Sequence, residues 1–256
     1  LLEEKIPESK PYQPIKVVNE FADWTTRELD FRIEGHNAER FRFSFKENPN
    51  INIPKIYWEY TTSQVLTMEF VHGIKADNIR AMEKLNINRK KIAANGVDAI
   101  LQQFLIDGFF HADPHPGNFF ILKNGMLCLH DFGMVGYLDE SQRKELISCF
   151  IAFIDRDIES FLKHFMHMAI LNEKSDVEGF KKDASDILNE LLYSSKQPSI
   201  AWAFFKSINK GAKRNISFPA DLVLFGKAII TTEAMGLKID PEFNFNKQFQ
   251  PFLSKI

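Results

Sequence analysis

The chain has 256 residues, of which 45% are hydrophobic and 26% charged, which is typical of a globular protein with one large domain or two modest lobes. The formal net charge of −2 gives no sign of nucleic-acid binding, and no window of about 18 apolar residues predicts a transmembrane helix. Cys128 and Cys149 are isolated, which argues against a disulfide scaffold and fits a reducing compartment.

The first part of the chain is predicted to hold one helix and two strands. Residues 1–14 contain three prolines and are expected to be irregular. Apolar residues spaced among charged ones predict a helix over about 15–45, followed by a loop over 48–52. Segments rich in β-branched and aromatic residues then predict strands over 55–60 and 64–70.

The rest of the chain is predicted to be mainly helical. Residues 89–107 form a helix whose apolar residues share one face, and Gly108 is placed to cap its C-terminus. A hairpin follows, and after Tyr137 nearly every residue falls in a helical pattern. The predicted helices cover about 139–154, 156–171, 176–194, 199–210 and 220–237, with Pro219 at the start of the last.

The most informative stretch runs from residue 110 to residue 133 and reads F-H-A-D-P-H-P-G-N-F-F-I-L-K-N-G-M-L-C-L-H-D-F-G. Asn124-Gly125 predicts a two-residue β-turn, in which both central positions need φ > 0. With that turn, Asn118 lies opposite Asp131 on an antiparallel pair, where Cβ atoms are about 5 Å apart. An amide oxygen and a carboxylate at that separation are suited to one Mg²⁺, whose other positions are filled by water and substrate phosphates.

Asp113 lies five residues before Asn118, on the loop that enters the hairpin. An Asp, an Asn five residues later and Asp-Phe-Gly beyond a short hairpin form the core arrangement of protein-kinase-like phosphotransferases. A surface hairpin with polar ends is the alternative interpretation. The pattern His111-x-Asp113-x-His115 also resembles a transition-metal site. Against this interpretation, the hairpin already supplies two oxygen ligands. His111 is instead expected to support the loop structurally.

The predicted order is helix, small sheet, helix, hairpin and helix bundle. We expect an α+β, mainly helical, protein-kinase-like fold, with a partial small lobe of one helix and short antiparallel strands before a helical large lobe. The small lobe with its hinge would cover 1–72, and the large lobe 73–256. In such folds the hinge backbone binds adenine, here from Glu69 to Val71; an edge strand ending at Gly73 is the alternative.

Three long stretches resemble the UbiB/AarF family of atypical kinases, which is linked to ubiquinone biosynthesis. E-L-D-F-R-I-E-G-H-N-A-E-R-F at 28–41 resembles the E-x-D signature helix of the family. H-A-D-P-H-P-G-N at 111–118 resembles its catalytic loop, and P-A-D-L-V-L-F-G-K-A-I-I at 219–230 resembles a helix of its large lobe. The similarity extends from about residue 20 to about residue 246.

The resemblance implies a role for each matching residue in binding and using ATP. Asp113 matches the catalytic-loop aspartate that orients or deprotonates the attacking hydroxyl or water. Asn118 and Asp131 match the ligands of the Mg²⁺ that bridges the nucleotide phosphates.

The resemblance also assigns the acids of the signature helix. Glu34 matches the glutamate that pairs with the nucleotide-contacting strand lysine. Glu28 and Asp30 match the E-x-D acids, which in the family look toward an N-terminal K-x-G-Q motif. On one continuous helix Glu28 and Glu34 would point about 240° apart, as two separate roles require.

The chain contains no K-x-G-Q segment, no V-A-x-K strand lysine and no Ala-rich phosphate loop, and it begins with Leu1 rather than Met. We therefore expect a fragment of a longer protein. Alone it should bind ATP poorly and be inactive, because Glu34 lacks its lysine, whereas the parent protein should bind ATP. A titration of both proteins with ATP tests this expectation, and equal affinities would contradict it.

The expected function is that of an ATP- and Mg²⁺-dependent kinase or ATPase that supports ubiquinone or related isoprenoid-quinone biosynthesis. One alternative is a nucleotide-gated scaffold for quinone-pathway proteins that needs no turnover. Another is a small-molecule kinase of the choline or aminoglycoside type, although those enzymes do not usually carry the E-L-D-x-x-x-E helix. Besides ATP, the partners considered are an isoprenoid lipid and quinone-pathway proteins, and not nucleic acid.

The full-length protein is expected on the cytoplasmic side of the inner membrane, peripheral to it or anchored in it. A small basic run near Trp202 is usually a solvated helix end. Basic and aromatic residues side by side also favour an anionic membrane surface, which is the alternative interpretation. The basic residues are Lys206, Lys210, Lys213 and Arg214.

Overall fold

The chain's structure is a computed structural model that describes residues 30–193 and 199–253. The helices are α1 (Phe31–Ser44), α2 (Ile79–Lys84), α3 (Arg89–Leu101), α4 (Glu140–Ile154), α5 (Ile158–His167), α6 (Val177–Tyr193), α7 (Ile200–Lys213), α8 (Ala220–Ile239) and α9 (Phe245–Leu253). The strands are β1 (Ile51–Asn52), β2 (Gly73–Lys75), β3 (Phe109–His111), β4 (Phe119–Leu122), β5 (Leu127–Leu129) and β6 (Val135–Tyr137). The predicted α+β, mainly helical class is confirmed.

Two small sheets surround the predicted catalytic residues. The larger has the order β1-β5-β4-β2, with β1 parallel to β5 and the other neighbours antiparallel. The smaller pairs β3 with β6, and the N–H of Ala112 extends this pairing by donating to the Met134 carbonyl at 3.0 Å. The chain therefore enters the catalytic loop, residues 111–118, beside the point where it leaves the D-F-G segment, residues 131–133.

The hairpin of β4 and β5 forms where it was predicted, but its register differs by one residue. Phe119 pairs with Leu129, and the loop holds the three residues 123–125 instead of two. Only Gly125 of the loop has positive φ, at 80°, as in three-residue hairpins that need one left-handed position. The predicted pairing of Asn118 with Asp131 is therefore wrong.

The residue that faces Asn118 across the hairpin is His130, whose N–H donates to the Asn118 carbonyl at 2.8 Å. Asp131 lies two positions beyond the end of β5, with φ of 66°. The direction of the Asp131 side chain is therefore set by this left-handed backbone conformation and not by pairing between the two hairpin strands.

Helix α1 begins at Phe31, so a continuous helix over 15–45 is wrong. Asp30 has extended backbone angles and caps α1, because its side chain accepts the N–H of Arg32 at 3.0 Å. The angular argument for Glu28 and Glu34 therefore does not apply. Glu28 itself lies outside the described residues, as does the rest of 1–29.

The two strands predicted over 55–60 and 64–70 lie antiparallel but form no continuous ladder. A single bridge joins Ile56 to Met68, and residues Trp58–Tyr60 turn into a 3-10 helix. The Thr61 hydroxyl accepts the N–H of Thr67 at 3.1 Å, so a side chain replaces a strand partner there.

The predicted boundaries around the larger sheet also need correction. Residues 51–52 form β1 inside the predicted loop, because this segment pairs with the outer edge of β5. Gly73 begins β2 and does not end the preceding strand, since it pairs with Leu122 on the other edge of the hairpin. β1 and β2 thus cover the two outer edges of the β4–β5 hairpin, whose backbone groups would otherwise be unpaired.

From α3 to α8 the helices follow the predicted order closely, whereas α2 and α9 were not predicted. Gly108, with φ of 61°, ends the helical run that continues α3 through residues 102–107, as predicted. No described helix combines the length and apolar character needed to cross a bilayer.

Buried phenylalanines hold the large lobe together. Phe225 of α8 is fully buried, and its ring meets three others edge to face. Ring centroids lie 4.6 Å away for Phe104, 5.0 Å for Phe204 and 6.5 Å for Phe150. Such aromatic pairs stabilise the core beyond simple burial. Four helical segments thus meet at one aromatic cluster.

Replacing Phe225 with alanine should lower the free energy of unfolding by about 3–5 kcal/mol, because it leaves a cavity in this cluster. Urea unfolding followed by circular dichroism measures the loss. Phe43, which is 73% exposed, is the matched control, and Phe43→Ala should cost less than about 1 kcal/mol. Equal losses in the two variants would contradict the assignment of the core.

Candidate nucleotide and catalytic site

The catalytic loop is held in shape by its own polar groups. The amide of Asn118 donates from Nδ2 to the carbonyl of Asp113 at 3.1 Å. The backbone N–H of Asn118 donates to the His115 carbonyl at 2.9 Å, and the His115 ring accepts the N–H of Gly117 at 3.0 Å. These bonds fix the backbone on both sides of the two predicted functional residues. The spacing of five residues therefore brings Asp113 and Asn118 into one turn.

His111 supports this loop from inside the protein, as expected from the sequence. The side chain is completely buried, and its Nδ1 accepts the N–H of Asp113 at 3.2 Å. Burial lowers the pKa of His111 to about 4, although the nearby charges of Asp131 and Asp113 oppose this shift. The imidazole is therefore neutral near pH 7, with its proton on Nε2. A buried ring already engaged at Nδ1 does not favour the transition-metal interpretation of this loop.

A lysine from a distant part of the chain meets the predicted catalytic aspartate. Lys227 of α8 places Nζ 3.0 Å from Asp113 Oδ1. The second carboxylate oxygen, Oδ2, lies 3.9 Å from His115 Nε2. Lys227 belongs to the segment 219–230 that resembles the family helix, but sequence reasoning gave it no role. Its position within that matched segment was the available signal.

Asp131 is presented to solvent by an uncommon backbone conformation. Its φ of 66° lies in the left-handed region, which few residues other than glycine adopt. Its Oδ1 accepts the N–H of Gly133 at 3.2 Å, and the side chain is exposed. The charges of Asp131 and Asp113 both raise the pKa of the buried His111 ring, and so oppose the effect of its burial.

Two residues of α1 hold the backbone of the D-F-G segment. The N–H of Phe132 donates to Glu34 Oε1 at 3.0 Å, and the Phe132 carbonyl accepts from Asn37 Nδ2 at 2.9 Å. Glu34 and Asn37 are three residues apart, so both lie on the same face of the helix. Glu34 thus contacts the D-F-G segment, and its assignment to a strand lysine stays a prediction. Asn37 was missed, although it stands in the signature stretch.

Asp30 forms an ion pair with Arg32 at the start of α1. Arg32 Nη2 lies 2.6 Å from Asp30 Oδ2, and the hydrogen bonds from Arg32 lower the pKa of the Asp30 carboxyl. The described polar contacts of Asp30 are local to this cap. The structure does not bring it to the catalytic loop, and its cofactor-binding assignment stays a prediction.

The predicted hinge borders a cavity of about 280 Å³ that Val71, Gly73 and Lys123 help to line. The N–H of Glu69 is occupied, since it donates to the Lys55 carbonyl at 2.8 Å. A larger cavity of about 690 Å³ lies between the end of α1 and the hairpin, and none of the predicted site residues line it.

Phe120 on β4 and His130 just after β5 form what we call the aromatic surface. The rings of Phe120 and His130 are 5.8 Å apart and meet edge to face. Phe120 is half-buried and pairs with Lys75 on β2, the strand that follows the hinge. Close packing of β2 needs Gly73, because a Cβ there would lie 3.0 Å from Phe120 Cβ. The sequence analysis gave neither Phe120 nor His130 a role in the site.

A small sheet, a catalytic loop and a D-F-G segment beneath one helix define a protein-kinase-like domain. A sequence profile described as "ABC1 atypical kinase-like domain" matches residues 2–165, more than half of the chain. The chain therefore belongs to this family of atypical kinases, and the resemblance to UbiB/AarF is confirmed. The predicted kinase-like fold is confirmed with it.

Curated relatives match nearly the whole chain but are much longer. The chain is 31% identical to the uncharacterized protein sll0095 of Synechocystis sp., covering 97% of this chain and 44% of that protein. It is 32% identical to the chloroplastic protein ACTIVITY OF BC1 COMPLEX KINASE 7 of Arabidopsis thaliana, covering 90% and 33%. It is 30% identical to a probable protein kinase UbiB of Marinobacter nauticus, covering 99% and 47%. The chain thus spans half or less of each relative.

A solved structure supports the same fold. The structure of the Rv3197–erythromycin complex from Mycobacterium tuberculosis aligns with a TM-score of 0.58 and 20% sequence identity. The alignment covers 88% of this chain and 57% of that protein. At this level of identity the likeness shows the fold alone.

Replacing Asn37 with alanine should lower the free energy of unfolding by about 1–3 kcal/mol, because the buried Phe132 carbonyl loses its donor. The matched control is Asn209→Ala, since Asn209 also donates to a backbone carbonyl, that of Phe205, but is exposed. Urea unfolding of both variants gives the comparison. A loss no larger at position 37 than at 209 would show that the bond to Phe132 is unimportant.

Proposed function

We propose that this chain is the ATP- and Mg²⁺-binding part of a UbiB-type atypical kinase or ATPase. The observation that carries the proposal is the catalytic loop, in which Asp113 faces Lys227 while Asn118 is bonded to the same turn. Membership of a kinase-like family supports phosphoryl transfer in general. The nucleotide, the metal and the acceptor are the proposed details.

Asn118 and Asp131 are the residues that would hold Mg²⁺. The Asn118 nitrogen is committed to the Asp113 carbonyl, which leaves the amide oxygen as its metal-binding group. Asp131 is exposed and uses one carboxylate oxygen for Gly133. Both offer the hard oxygen ligands that Mg²⁺ prefers, so the donor set fits this ion. Bound Mg²⁺ would neutralise charge on the nucleotide phosphates.

The hinge and the aromatic surface are the proposed adenine site. The Glu69 carbonyl and the Val71 N–H make no hydrogen bond among the described residues, so both are available to the edge of a base. Phe120 and His130 offer flat rings next to the strand that follows the hinge. Stacking on such rings is a common way to bind a nucleobase.

Asp113 is proposed to receive the proton of the attacking hydroxyl or water. Lys227 holds Oδ1 at 3.0 Å, which leaves Oδ2 as the oxygen available to the acceptor. The Lys227 ammonium group is also proposed to stabilise the negative charge that develops during transfer of the phosphoryl group. Positioning and charge stabilisation of this kind supply most of the catalysis in phosphoryl transfer.

The cellular role proposed for the full-length protein is support of ubiquinone or related quinone biosynthesis. The resemblance to UbiB/AarF supports this role, and it favours the UbiB type over choline or aminoglycoside kinases. An isoprenoid lipid acceptor, quinone-pathway partners and attachment to the inner membrane remain predictions. In the basic run considered for membrane contact, Arg214 is already paired with Asp176 at 2.6 Å and Asp183 at 3.0 Å.

In the full-length protein, Asp113→Asn should leave the affinity for Mg·ATP within about threefold and lower turnover at least about 100-fold. Calorimetry measures binding, and an assay of phosphate release or transfer measures turnover. Asp77→Asn is the control, because Asp77 also pairs with a lysine of α8, Lys238, at 3.4 Å. Undiminished turnover would contradict the role of Asp113. If cells carrying the inactive variant still make quinone, the scaffold alternative is favoured.

Lys227→Met should lower turnover about 10- to 100-fold while changing nucleotide affinity little, because Lys227 contacts Asp113 and acts through it. Lys227→Arg should retain more turnover, since it keeps a cation beside the carboxylate. Lys238→Met is the control from the same helix. Equal turnover in the methionine variants at 227 and 238 would show that Lys227 does not position Asp113.

A further inference from the structure

A second group of chemically active side chains, none of them part of the nucleotide site, lies between helices α4 and α5. Glu145 comes from α4, and His164 and His167 come from α5. Nδ1 of His164 lies 2.7 Å from Glu145 Oε2, and Nδ1 of His167 lies 3.1 Å from Glu145 Oε1. One ligand atom from each residue falls within 4.8 Å of the others. The three residues form what we call the His-Glu cluster.

The two helices hold this cluster in a fixed position. His164 and His167 are three residues apart and therefore share one face of α5. Behind them, the rings of Phe153 and Phe161 lie 6.3 Å apart in the core between the helices. Both phenylalanines are buried. The cluster is thus presented by rigid elements and not by a loop.

The cluster has an unbalanced negative charge when its histidines are neutral. Burial opposes ionisation of Glu145, but hydrogen bonds from His164 and His167 outweigh it and lower the pKa of the carboxyl. Among the described residues, no lysine or arginine forms an ion pair with Glu145. A carboxylate that is only 23% exposed, without a permanent cation beside it, would gain from a bound metal ion.

We propose that the His-Glu cluster is a transition-metal site of the Zn²⁺ class, with two imidazole ligands and one carboxylate ligand. Metal–ligand bonds of about 2.0–2.2 Å place neighbouring ligand atoms about 3.3–3.6 Å apart in a tetrahedron. The two contacts between Nδ1 and the carboxylate, at 2.7 Å and 3.1 Å, are shorter, so these side chains must separate slightly to admit an ion. Imidazole ligands select Zn²⁺, Co²⁺ or Ni²⁺ over Mg²⁺ and Ca²⁺. His167 is half exposed, which gives the ion an entry path and leaves a coordination position for water.

Metal binding requires a change of tautomer in both histidines, and this change neither adds nor removes a proton. In the neutral cluster each Nδ1–H donates to Glu145. When the ion binds, each ring proton moves to Nε2, so that Nδ1 offers its lone pair to the metal. The inference does not depend on the proposed phosphoryl transfer, because the His-Glu cluster shares no residue with that site.

The test is titration of the chelator-treated full chain with Zn²⁺ by calorimetry and with Co²⁺ by visible absorption. We expect one equivalent of metal to bind, with the absorption bands of tetrahedral Co²⁺. Glu145→Gln, His164→Ala and His167→Ala should each weaken Zn²⁺ binding at least about tenfold. His36→Ala, which removes an exposed histidine of α1, should leave it unchanged.

Circular dichroism of each variant checks that the helices are retained, and His164→Gln serves as a milder change if the alanine variant unfolds. The proposal is overturned if the unchanged chain binds neither ion at 100-fold excess. It is equally overturned if binding survives in the His164→Ala/His167→Ala double variant. The cluster would then be a hydrogen-bonded contact between two helices.

Discussion

The two hydrogen bonds between α1 and the backbone of Phe132 are the contacts on which the candidate site depends. Glu34 accepts a hydrogen bond from the N–H of Phe132, and Asn37 donates one to the Phe132 carbonyl. The ring of Phe132 is fully buried. The neighbouring Asp131 is held in a left-handed conformation, which costs about 1–3 kcal/mol for a residue other than glycine. Two hydrogen bonds and a buried ring offset that cost, so the carboxylate stays presented beyond the hairpin.

The rest of the site is assembled from segments that are distant along the chain. The pairing of β3 with β6 brings the catalytic loop beside the D-F-G segment, and buried His111 fixes the loop at Asp113. Helix α8 then delivers Lys227, 114 positions after the aspartate that it contacts. The aromatic core centred on Phe225 holds α8 in place, so the stability of the large lobe and the geometry of the site are linked.

Sequence reasoning identified helices α3 to α8, the hairpin and the family, because periodicity and long motifs are local signals. It missed the register, since a three-residue loop with only Gly125 left-handed uses the same Asn-Gly pair as a two-residue turn. It also ran a helix through Asp30, whose side chain caps α1. Asn37 and Lys227 stood in matched stretches, but their partners are set by tertiary contacts that spacing along one sequence does not reveal.

The most direct test of the account is a crystal structure of the full-length protein with Mn²⁺ and a non-hydrolysable ATP analogue. The anomalous signal of the metal gives its position independently of the refined protein. We predict an ion within about 2.2 Å of both the Asn118 amide oxygen and the Asp131 carboxylate, with Phe132 still bonded to α1. An ion bound without either residue, or a D-F-G segment detached from α1, would contradict the account.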